Sequence, residues 1–125
     1  MILNIYAAWI GFLVGCIAGA VPGLFFHEKD WLGGYTSWAR RMIRLAHIAF
    51  FGIGILNLLF ALTVRTLGLD TGLVVASYLL ILGAATMPVV CYLSAWKSFF
   101  RHFFFIPASS VTLSIVILLW RIMTP

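Results

Sequence analysis

Four apolar runs, separated by three short polar stretches, set the pattern of this chain. The runs occupy about residues 2–26, 38–64, 73–96 and 103–123. Each is near or above the ~20 residues that a helix needs to cross the hydrocarbon of a bilayer. Charged side chains fall between the runs or at their ends: Glu28, Lys29 and Asp30 in the first connection, Asp70 in the second, Lys97 and Arg101 in the third. The pattern predicts an all-α fold, a single domain of four transmembrane helices spanning residues 1–125. No Lys or Arg precedes the first run, which also continues past the signal-peptidase-like Ala18-Gly19-Ala20. It reads as a retained helix rather than a signal peptide.

Small residues pattern the runs further. Ala7, Gly11, Gly15, Gly19 and Gly23 recur at every fourth position of the first run, and residues at i and i+4 share one helical face. This glycine-zipper spacing leaves a groove without side chains. In lipid, close backbone approach along such a groove is what lets helices associate. The second run carries a stripe through Arg40, Arg44, His47, Phe51, Gly54, Leu58 and Ala61, with Gly52 and Gly54 permitting close approach. Asn57, near its middle, is expected to donate an interhelical hydrogen bond. Ser77, Ala84, Cys91 and Ala95 form a line down the third run, and Ser110 and Ser114 share a face of the fourth.

Prolines and turn residues punctuate the runs. Pro22 is expected to kink the first helix near its end. Pro88 frees a carbonyl in the third, for which a hydroxyl such as that of Thr86 is a candidate partner. Gly33-Gly34 predicts a turn, and Thr36 or Ser37 can cap the helix that follows. Trp31, Tyr35 and Trp38 are placed as an aromatic belt at headgroup depth.

Composition sharpens the fold class. The chain is 64% hydrophobic and 9% charged, whereas soluble domains have roughly 45–50% apolar and about 25% charged residues. A soluble core of 125 residues could not hide so much apolar surface. The formal charge of +5 therefore speaks of lipid, not of nucleic acid. Lys29, Arg40, Arg41, Arg44, Lys97 and Arg101 flank the first and third connections, against Arg65 and Arg121 at the other end. The imbalance places those two connections in the cytoplasm and both termini on the outer side of a cell inner membrane. It also marks Arg40, Arg41, Arg44, Lys97 and Arg101 as contacts for anionic lipid at the interface.

Candidate chemistry is sparse. Cys16 and Cys91 provide neither a disulfide framework nor a metal knuckle. Three histidines fall toward the basic end, His47 inside a span and His27 and His102 at the boundary. Neutral imidazole ligates haem and metals, so one reading is a b-type haem held by His47 with His102 or His27. No carboxylate lies inside a span to relay protons, which leaves a small four-span transporter as a third reading. Ser109 and Ser110 near His102 lack a carboxylate to orient a base, so no enzyme is expected. The reading that uses most of the pattern is an accessory subunit, packing through Ala7, Gly11, Gly15, Gly19, Gly23, Gly52, Gly54, Asn57 and Ala84. Its partners would be membrane lipids and other integral membrane subunits, in a respiratory or electron-transfer assembly.

Overall fold

The computed structural model describes residues 1–69 and 71–124, so the placement of Asp70 in the second connection lies outside the described residues. Four α-helices follow one another: α1 (Ile2–Gly23), α2 (Trp38–Thr66), α3 (Val74–Trp96) and α4 (Phe105–Met123). Short 3-10 segments lie at Trp31–Gly33 and Ser98–Phe104. Four helices are long and apolar enough to cross a membrane, the last counted from Ser98.

Local chemistry explains where the helices begin and end. α1 stops at Gly23 rather than at residue 26, with Pro22 inside its last turn. The chain leaves it in tight steps, with Leu24 N–H donating to Val21 O at 3.2 Å and Phe25 N–H to Pro22 O at 3.0 Å. These tighter bonds are the loosened last turn expected beside Pro22. The first connection then turns through Leu32, Gly33 and Gly34, with φ of +52°, +84° and +95°. Two glycines are needed there, since side chains disfavour that backbone region. Ser37 caps α2, its Oγ accepting from Arg40 N–H at 3.2 Å. The third connection winds as a 3-10 segment, so α4 begins at Phe105, later than the apolar run suggested. Pro107 falls in its first turn, where a missing donor costs nothing.

The helices pack in chain order, α1 on α2, α2 on α3 and α3 on α4, with a smaller contact between α1 and α3. α4 has α3 as its principal neighbour, so the set is an open succession rather than a closed ring. The core lies between α2 and α3: Ala49, Ile53, Phe60 and Val64 meet Ala76 and Leu80, with Leu69 and Leu73 closing one end. Glycine again brings backbones together on the far side of α3, where a Cβ at Gly83 would run into Val111 of α4. Ser114 Oγ donates to Ala76 O at 2.7 Å, and Ser110 Oγ donates to Leu79 O. Thr86, expected to serve the carbonyl released by Pro88, donates instead to Leu82 O at 2.7 Å in its own helix. Large apolar side chains such as Leu13, Ile48, Val75 and Leu119 point outward. In water such faces would drive association; acyl chains match them.

Candidate functional site

The small-residue face of α1 meets α2 of the same chain. A Cβ at Gly11 would stand 3.3 Å from Phe50 O, and one at Gly15 would stand 2.8 Å from the Phe51 ring. One at Gly19 would strike the His47 ring, whereas Gly23 has nothing within 4 Å. The opposing stripe on α2 supplies the knobs, and Gly54 returns the favour, since a Cβ there would stand 2.7 Å from the Phe12 ring of α1. Gly52, one position after Phe51 and off that face, meets nothing within 4 Å. Leucine or isoleucine on these faces would hold the backbones apart, so their glycines set the α1–α2 distance.

A buried polar cluster locks α3 to the same two helices. Asn4 Nδ2 donates to Asn57 Oδ1 at 2.9 Å and to Ser77 O at 3.3 Å. Ser77 Oγ donates to Asn4 Oδ1 at 2.5 Å, and Asn57 Nδ2 donates to Ile53 O at 3.0 Å and Leu80 O at 3.4 Å. Asn57 therefore both accepts and donates across helices. The cluster sits toward one end of the helices, not at mid-height, because its partners are near the starts of α1 and α3. Asn4 was not anticipated; an amide inside an apolar run was the available signal.

The basic end is less uniform than its sequence. Arg40, expected at the lipid interface, is buried. Its Nε donates to Trp31 O at 2.6 Å and its Nη2 to Glu28 O, while the guanidinium lies 5.4 Å from the Trp31 ring centroid and 5.7 Å from that of Phe26. A planar fork with several donors suits this role better than an ammonium. Carbonyls of the first connection draw it inward, and it pins that connection onto α2. Arg44 stays half-buried over the Tyr35 ring at 4.6 Å, and its Nη2 donates to Tyr35 O at 3.2 Å. Arg41 is exposed above Trp38, Lys97 is exposed above Trp96, and Arg101 is exposed. Trp38, placed as a belt residue, ties α2 to α3 by donating Nε1–H to Ser94 O at 2.8 Å.

The histidines have three separate surroundings. His47 is half-buried between α1 and α2, with Nδ1 3.0 Å from Gly15 O and its ring against Phe51. A carbonyl can only accept, so Nδ1 carries the proton. His102 packs on Phe99 in the 3-10 segment, and His27 is exposed in the first connection. Among the described residues, no three His, Cys, Asp or Glu side chains form a group able to hold a metal ion.

Beyond the Asn4–Ser77 contact, α1 and α3 part. A cleft of about 250 Å³ lies between them, level with the middles of the helices, with Phe50 and Gly54 of α2 lining it too. Its walls mix small residues, Ala7 and Gly11 from α1 and Ala84, Ala85 and Pro88 from α3, with the larger Ile10, Val14, Ile81, Val89 and Tyr92. Searched against known protein families, characterised proteins and solved structures, the chain matches none.

Proposed function

We propose that this chain is a small subunit of a larger complex in a bacterial-type inner membrane, joined to its partner through the α1–α3 cleft. The cleft is the observation that carries the reading. The α1 glycines from Gly11 to Gly19 are largely taken up by α2, and the α3–α4 glycine by Val111. What remains open is the cleft, where Ala7 on one wall and Ala84 and Ala85 on the other leave gaps between Ile10, Val14, Ile81 and Val89. Such walls leave backbone accessible to a knob from a neighbouring transmembrane helix, the usual basis of helix association in lipid. The described segments outside the helices are short, so packing is the function for which the chain has surface. Cations flanking the first and third connections support an orientation with those connections in the cytoplasm and both termini outside. The histidines, held apart, add nothing for an electron-transfer setting, and the proposal is for the joining role.

A photo-crosslinking residue at Ala85 in native membranes tests this, with one at the exposed Val116 of α4 as the control. The expected result is one defined integral-membrane adduct from Ala85 and none from Val116, with Ala85→Leu abolishing co-purification of the same partner. Adducts with lipid alone at Ala85 would overturn the reading.

A further inference from the structure

The α1–α2 seam opens at its basic end. Gly19 is closed over by His47, but one turn later nothing stands within 4 Å of a Cβ at Gly23. A crevice of about 180 Å³ runs there between the helices, lined by Ala18, Gly19, Gly23 and Ile43 and by the ring of His47. It adjoins a second hollow of about 140 Å³, completed by Tyr35 and Arg40. Phe26 and Arg44 line both and so mark the junction. The pair of hollows thus grades from an apolar slot to a mouth bearing two guanidinium groups, and among the described residues no carboxylate lines either.

The cations divide the work. Arg40 has committed its fork to Glu28 O and Trp31 O, so it contributes positive charge. Arg44 makes one hydrogen bond among the described residues, to Tyr35 O. A guanidinium carries five N–H donors, so Arg44 keeps donors for a further acceptor. Guanidinium and phosphate match in shape and charge.

We propose that the two hollows together hold one anionic phospholipid. Its phosphate sits against Arg44, and one acyl chain lies along Gly19 and Gly23 between α1 and α2. Charge complementarity and the apolar-to-cationic gradient select an amphiphile with a negative head, which the surrounding bilayer supplies. A partner helix would satisfy the slot but leave the guanidinium unmatched unless it carried an acid at that depth. The site lies further along α1 than the α1–α3 cleft and shares no lining residue with it, so it stands whether or not that cleft holds a partner.

Native mass spectrometry of the full chain in mild detergent, titrated with phosphatidylglycerol or phosphatidylcholine, tests the proposal. The intact protein is expected to retain one phosphatidylglycerol in preference to phosphatidylcholine. Arg44→Gln should weaken retention about tenfold, as loss of a hydrogen bond to a charged group does. Gly23→Leu should weaken it to a similar degree by filling the slot without changing charge, and open space around Gly23 lets the variant fold. Arg41→Gln removes the same charge outside the hollows, where screening limits the effect to about twofold. Unchanged circular dichroism verifies folding of each variant. Equal losses from Arg44→Gln and Arg41→Gln would overturn the site, as would unaltered binding by Gly23→Leu or equal retention of both lipids.

Discussion

Among single residues, Arg40 departs furthest from what its sequence position suggests. An arginine in the first turn of a membrane-spanning helix reads as an interfacial cation, because a long stem can reach back to the headgroups. The reach is real, but the groups it finds belong to the protein. Nothing in the sequence announces that Glu28 and Trp31 will present carbonyls to it, since that depends on the Leu32–Gly34 turn. The capping role of Ser37, set by neighbours only three residues away, was by contrast legible. Arg40→Ala would leave two carbonyls and two aromatic faces without their partner. The expected cost is about 2–4 kcal/mol, a sum of hydrogen-bond and cation–π losses. Arg40→Lys should recover only part of it, since an ammonium cannot reproduce the fork. Thermal unfolding in detergent measures the loss, and faster tryptic cleavage after the exposed Lys29 would show that the first connection has come free. Equal stability of Arg40→Ala and the parent protein would show that these contacts contribute nothing.

At the level of helices, the number and approximate limits of the spans follow from hydrophobicity alone, because lipid demands long apolar runs. Their facing does not follow. In water, the apolar side of a helix is the buried side; in lipid both sides are apolar, so the contrast disappears. Only small and polar residues carry the information, and they carry it unevenly. Gly52 and Gly54 look alike in sequence, yet Gly54 receives Phe12 and Gly52 meets nothing. Gly11, Gly15 and Gly19 face α2, while Gly23 on the same stripe opens onto a crevice. Gly15→Ile would force a branched side chain into Phe50 and Phe51. Overpacking of this kind costs about 1–3 kcal/mol. Leu13→Ile, at a position 63% exposed, should change stability by less than about 0.5 kcal/mol. Unfolding of the purified chain should show this difference with no partner present, since the contact is internal. Indistinguishable variants would mean that the seam does not bear on stability.

For the whole molecule, the open order of helices has a consequence that no local pattern conveys. A closed bundle would bury α1 against α4; here α4 leans on α3, and α1 reaches only the rim of α3. The cleft opens where α1 and α3 part beyond Asn4 and Ser77, and no single run of the sequence encodes it, because its lining comes from three helices. Charge distribution, unlike helix arrangement, is fixed by the chain itself. Six Lys or Arg residues flank the first and third connections and two lie at the opposite end. The inward turn of Arg40 leaves this bias in place, because the topology rule concerns charge near the span ends and not the later fate of each side chain. The bias can be tested with cysteines at Thr71, exposed in the second connection, and Ser98, exposed at the start of the third. Cys16 and Cys91 are first replaced by serine or alanine. A membrane-impermeant maleimide applied to intact spheroplasts should label Thr71→Cys at once and Ser98→Cys only after permeabilisation. The reverse labelling would place the basic end outside. The Arg44 crevice would then open onto the outer leaflet, and the proposed lipid would have to be drawn from there.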